Sequence, residues 1–195
     1  EGIATITWEV PGRSLNVLSF VGLRELDGCM DAALGDASVK GIIITSGKAD
    51  FAAGMDLNIL AEMKTMAGDN PAKGLFDGTM QMHGILRKIE LAGMDMKTKK
   101  GGKPVAAVLP GTALGIGLEI PLSCHRIFAA TNPKAKIGLP EIMVGIFPGA
   151  GGTTRLARKL GAMAAAPLLL EGKLLAPAKA KAAGVIDVVS DDPMA

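Results

Sequence analysis

A chain of 195 residues, 49% hydrophobic and 21% charged, is sized for one domain that removes roughly 70% of its unfolded surface from water. A net charge of +2 and an aromatic content of 3% supply neither the basic face nor the stacking platform that nucleic-acid binding needs. No apolar run nears the roughly 18 residues of a membrane span, no basic leader precedes a hydrophobic stretch, and Cys29 and Cys124 lack metal-ligand spacing and read as buried thiols of a reducing compartment.

Ala4, Ile6, Trp8 and Val10 alternate with polar neighbours, the period of a half-buried strand that Pro11 and Gly12 end. Leu23, Leu26, Met30, Ala33 and Leu34 recur three and four apart, so a helix follows, closed by Gly35 and Asp36. The apolar run at residues 41–45 is then a strand, and strand–helix–strand order predicts a parallel crossover. Asp56 is placed to cap a helix over residues 57–66, and residues 68–74 read as a loop. An amphipathic helix is expected at residues 78–91, with Met82, Ile85, Leu86 and Ile89 on one face, followed by a solvated, lysine-bearing connection to Gly102.

Residues 103–155 carry the chemistry. The strand-length run at residues 105–109 breaks at Pro110-Gly111, and residues 113–124 are expected to turn as a helix, with Glu119 early in it behind Gly115-Ile116-Gly117. A helix start leaves backbone N–H groups without internal partners and carries partial positive charge, so an oxygen gaining negative charge is stabilised there. A second acid, Glu141, follows Pro140 and precedes the glycine-rich turn at residues 145–152. Thr153 is expected to cap a short helix bearing Leu156 and Leu160. An alanine-rich helix follows at residues 162–170, then one from Pro177 to about Gly184, and a last apolar segment at residues 185–189.

Three motifs in this order carry a family resemblance. Phe51 to Leu57 reads F-x-A-G-x-D-L, Lys103 to Glu119 reads K-P-V-x-A-x-x-x-G-x-A-x-G-x-G-x-E, and Pro140 to Arg155 reads P-E-x-x-x-G-x-x-P-G-x-G-G-T-x-R. Together they resemble the crotonase (enoyl-CoA hydratase/isomerase) superfamily, and most closely the hydratase portion of multifunctional fatty-acid oxidation enzymes. The resemblance covers residues 3–189. It implies an α/β fold, the crotonase spiral of β-β-α turns, with the family's C-terminal helices missing, so that residues 1–195 form a single domain expected to be a piece of a longer chain. Exposed apolar patches are then expected.

The function implied is hydration of a trans-2-enoyl-CoA to a 3-hydroxyacyl-CoA in β-oxidation. Glu119 would deprotonate the water, Glu141 would protonate C2, and the N–H groups of Met55 and Ile116 would hold the thioester oxygen. Ala53, Gly54, Asp56, Leu57, Gly115 and Gly149 would line the substrate. No metal or redox cofactor is implied; coenzyme A belongs to the substrate, and NAD enters only with an attached dehydrogenase portion. The expected partners are the acyl-CoA thioester and an oligomer or a thiolase subunit, in a bacterial cytoplasm or a mitochondrial matrix. Where the family usually has glycine stands Ile116, whose side chain is expected to crowd the thioester.

Other readings are open at this point. Glu119 taken alone could be a surface helix acid. Within the enzyme class, isomerisation by a single carboxylate is the runner-up, and outside it a non-catalytic acyl-CoA-binding module. A phosphate loop at residues 145–154 lacks the lysine that its motif needs, and a dinucleotide fingerprint lacks its third glycine at Ile120. A Cys124–His125 nucleophilic pair fails because adjacent helical residues point about 100° apart.

Overall fold

The structure is a computed structural model and describes residues 2–56 and 70–195. Strands β1 (Ile3–Trp8), β2 (Gly41–Ser46), β3 (Val105–Leu109), β5 (Arg126–Ala130) and β7 (Val188–Ser190) form one sheet, every neighbouring pair parallel, in the order β1-β2-β3-β5-β7. Ile3 pairs with Gly41 and Trp8 with Ser46, so the expected crossover is present. The helix between them, α1 (Phe20–Gly35), starts where Ser19 Oγ accepts from Gly22 N, and buries Leu23, Met30 and Ala33. Its end is closed by Lys103, whose ammonium donates to the carbonyls of Ala33, Leu34 and Asp36 and so meets the partial negative charge of a helix C-terminus.

Two boundaries ahead of Glu119 differ from expectation. Helix α2 (Pro71–Leu91) begins seven residues before Gly78. Asn70 accepts from Lys73 N and Pro71 takes the first turn, so residues 71–74 are helix and not loop. Its inward face is Met82, Ile85, Leu86 and Ile89, as the periodicity predicts. The second difference lies at residues 113–115, which are not helical. Ala113 and Leu114 form a short strand, β4, paired in parallel with β6 (Ile137–Gly138), and helix α3 (Ile116–Ser123) starts only after Gly115. Gly115 carries φ 56°, a conformation that L side chains avoid, and this turns the strand into the helix. The expected cap by Asp56 of a helix at residues 57–66, and Leu57 itself, lie outside the described residues.

Beyond β6 come a 3-10 turn (Glu141–Val144) and helices α4 (Gly152–Leu160), α5 (Ala162–Leu170) and α6 (Pro177–Ala182). Gly151, not Thr153, is the cap residue of α4. A contiguous core of Ile42, Ile44, Phe51, Leu86, Ile89, Leu109, Leu118, Ile120 and Ile127 joins sheet and helices. Met143, Val144, Phe147, Met163 and Leu170 are apolar side chains left in the open. Among the described residues no helix is long and apolar enough to cross a membrane.

Candidate active site

The loop after β2 is hung on one side chain. Asn16, wholly buried, donates to the carbonyls of Trp8 and Phe51 and to Ser46 Oγ, and accepts from Val10 N. Its own carbonyl accepts from Ala53 N. Further along, Leu18 N donates to Gly54 O and Asp56 N donates to Leu18 O, each at 2.9 Å. In a parallel bridge of this kind the residue between, Met55, turns its own N–H away from the partner strand. Arg13 pairs with Asp56 at 3.0 Å and steadies the same turn.

On the opposite side, Leu114 N donates to Ala52 O, so β4 runs beside the loop and delivers Gly115 to it: a Cβ at Gly115 would sit 3.8 Å from Gly54 Cα. Leu118 N and Glu119 N both bond to the Gly115 carbonyl, and no acceptor in the described protein takes the N–H of Ile116 or of Met55. Two free donors therefore flank the close approach of Gly54 and Gly115, one of them at the positive end of α3. The Ile116 side chain is 3% exposed and belongs to the hydrophobic core, so the expected crowding of this space by it is not found.

Both acids converge here. Glu119, in the first turn of α3, is 3% exposed, which rules out the surface-acid reading; its Oε1 accepts from Ala150 N at 2.9 Å and Gly152 N at 2.8 Å. A Cβ on Gly152 would lie 2.8 Å from that oxygen, so only glycine admits the contact. Glu141 approaches from the 3-10 turn: its Oε1 is 3.2 Å from where a Gly115 Cβ would stand, and its Oε2 is buried without a hydrogen-bond partner. Burial pushes the Glu119 carboxyl up to about 7, helped by the charge of Glu141 and opposed by the two N–H donors and by Arg155. Burial also raises Glu141 above the ordinary carboxylate range, against the pull of its own backbone N–H. The pair can thus hold one protonated and one ionised carboxyl near neutral pH.

Burial of this acid makes stability depend on pH. Glu119's folded value lies above its ordinary 4.5, so its contribution to stability is fully present below about 4.5 and is lost as pH rises through about 7. Glu119→Gln keeps the acceptor oxygen and cannot ionise. It is expected to match the wild type near pH 4.5 and to exceed it by up to about 3 kcal/mol well above pH 7. Urea unfolding at both pH values measures this, and a difference independent of pH would disprove it.

The remaining sequence candidates sort clearly. Gly149 is half-buried in the turn after Pro148, whereas Ala53 is exposed on the loop. His125 Nδ1 accepts from Val105 N and its Nε2 faces the Glu90 carbonyl at 3.2 Å, so it clips α2 to β3. The Cys124 thiol lies 3.6 Å from the Ile120 carbonyl and is pushed up to about 12 by burial, which removes it as a nucleophile. The phosphate-loop reading fails physically as well, because the Ala150 and Gly152 N–H groups that would cradle a phosphate are bound to Glu119. Among the described residues no cluster of His, Cys, Asp and Glu could hold a metal. Unforeseen from sequence were those two N–H donors, and Glu90, which reaches Arg155 from α2. Arg155 stood in the third motif, but nothing local signalled what it touches.

A family model described as Enoyl-CoA hydratase/isomerase matches residues 1–194, and the chain belongs to that family. Among curated relatives it is 36% identical over 188 residues to the fatty acid oxidation complex subunit alpha of Shewanella halifaxensis, a match covering 96% of this chain and 24% of that protein. The Shewanella amazonensis protein of the same name is 35% identical, with 25% of it covered, so the chain spans about a quarter of the length of these relatives. Among solved structures, an enoyl-CoA hydratase from Thermoplasma volcanium superposes with a TM-score of 0.82 at 31% identity over 98% of this chain and 69% of that one. One from Bacillus anthracis gives 0.80 at 29% identity over 97% of this chain and 66% of that one. The fold is thus the crotonase spiral expected from the motifs.

Proposed function

We propose that the protein adds water across the double bond of a trans-2-enoyl-CoA thioester to give the 3-hydroxyacyl-CoA. The observation that carries this reading is the pairing of a buried and a half-buried carboxyl group, both of raised proton affinity, with two unclaimed backbone N–H donors in one place. The thioester oxygen accepts from Met55 N and Ile116 N. Ionised Glu119 takes a proton from water as the water oxygen bonds to C3. The C2=C3 electrons move towards the carbonyl, giving enolate charge held by the two donors, and the Glu141 carboxyl delivers a proton to C2. One water is added, and a proton passing from Glu119 to Glu141 restores both. Losing one donor of this kind typically costs about 3 to 4 kcal/mol of barrier.

Ala53, Gly54, Asp56, Gly115 and Gly149 line the substrate on this reading, coenzyme A arrives as part of it, and no further cofactor takes part. We place the activity in fatty-acid oxidation in the cytoplasm, in company with a thiolase subunit. The relatives' names support the pathway.

Turnover of crotonyl-CoA, followed by loss of the enoyl absorbance and by mass of the product, tests the reading. No hydrated product would refute it, and formation of a shifted double bond instead would favour isomerisation. The rate is expected to fall as pH drops through about 7, since Glu119 works ionised as the base. A kcat/KM profile flat from pH 5 to 9 would contradict the assignment of Glu119 as the base.

A further inference from the structure

Arg155, on the first turns of α4, is 10% exposed at its side chain, and its Nε is buried without a partner. Its Nη1 donates to the Ala150 carbonyl at 2.9 Å, and its Nη2 stands 3.5 Å from Glu90 Oε2. Glu90 is itself held by Arg87 at 2.6 Å. Burial works against ionising Glu90, but the hydrogen bond from Arg87 and the charges of Arg155 and Arg87 outweigh it and keep it an anion. A guanidinium buried this far, with one nitrogen unpaired, is a poor source of stability, and an apolar side chain of similar volume could fill such a place at no loss. Its contacts indicate another role.

The residue whose carbonyl Arg155 grips is Ala150, and the N–H of Ala150 is one of the two that hold Glu119. Between Ala150 and Gly152 stands Gly151 at φ 94°, where a Cβ would come 2.6 Å from Arg155 Nη1. The turn is therefore shaped to admit the guanidinium on one side and the Glu119 carboxylate on the other. We propose that Arg155, anchored on Glu90, is a positioning residue that fixes Glu119 through the turn at residues 150–152. The kinetic part of this inference rests on the hydratase reading, the structural part does not.

The charged and titratable groups in reach are few. Glu119 faces Glu141 from the 3-10 turn and Arg155 from α4; Arg155 faces Glu90 from α2, with Arg87 behind it, and Cys124 after α3; His83 of α2 comes to the same turn, 3.5 Å from a Gly151 Cβ. Arg155 is the one cation among those acting on Glu119, and it opposes the rise caused by burial and by Glu141. Without it the carboxyl should hold its proton to higher pH.

The test compares wild type with Arg155→Met and Arg155→Lys. The Glu119 carboxyl is titrated by carbon NMR, its resonance assigned with Glu119→Gln. In R155M the Glu119 midpoint is expected to move to higher pH and kcat to fall about 10²-fold with KM little changed, as for a misplaced catalytic group. In R155K the charge remains, so the midpoint stays nearer the wild type. The kcat still falls, because a point-like ammonium does not bridge Glu90 and the Ala150 carbonyl as the planar fork does. Wild-type midpoints and kcat in both variants, with only a lower melting temperature, would make Arg155 a structural brace and overturn the proposal. If R155M does not fold, R155K decides by the kcat and KM split. A wild-type protein that hydrates nothing would refute the hydratase reading, and the titration would still decide this one.

Discussion

Glu119→Gln and Glu141→Gln are each expected to fold and to lose crotonyl-CoA hydration by about 10²- to 10⁴-fold, the usual range for a general acid or base. The folding part follows from local geometry. An amide oxygen at Glu119 can still accept from Ala150 N and Gly152 N, and Glu141 Oε2 makes no hydrogen bond that an amide would break. The kinetic part follows from proton inventory, since an amide neither takes the proton from water nor gives one to C2. The pH profile should separate the variants, because Glu119→Gln removes the fall below about pH 7 whereas Glu141→Gln keeps it. Wild-type rates in either variant would take that residue out of the mechanism.

Ile116→Gly is expected to destabilise the fold more than any of the glutamate or arginine substitutions. The side chain is 3% exposed within the core, so its removal leaves a cavity of the sort that costs about 2 to 5 kcal/mol, with about 0.5 to 1 kcal/mol more for glycine in a helix. The N–H proposed to hold the thioester oxygen belongs to the backbone and survives the change. The fraction that stays folded should keep the wild-type kcat/KM for short enoyl-CoA substrates. Denaturant midpoints and steady-state kinetics measure the two halves separately. A gain in kcat/KM would show that the side chain does meet the acyl path, and a loss below about 1 kcal/mol would show that it is not core.

Much of this molecule was legible along the chain because short-range physics writes it there. Alternation at Ala4, Ile6 and Trp8, the three-and-four spacing of Leu23, Met30 and Ala33, and the apolar runs of β2 and β3 each report one face of one element. Glu119 and Glu141 stood out because acids flanked by apolar residues and glycine are expensive in a core unless they are used. Strand β5 and the pairing of β4 with β6 were not visible, and the two-residue ladder of β4 and β6 takes its stability from the partner and not from its own pattern. A local reading starts helix α2 too late because the glycines at positions 74 and 78 outweigh the cap at Asn70, whereas the packed face at Met82 to Ile89 supports a longer helix than propensity does.

By itself, then, the sequence determined the order of the helices and of β1, β2 and β3, the two acids and the glycines that let backbone approach them. Only the tertiary structure decided what each acid touches. The Ala150 and Gly152 N–H groups reach Glu119 across more than thirty positions of chain, and Arg155 meets Glu90 across sixty-five. It also decided that Ile116 turns into the core, for direction at a helix start is set by the conformation of Gly115 and by what packs opposite. Proton affinity belongs to the same class: it depends on burial and on neighbouring charge, and both exist only once distant segments have come together.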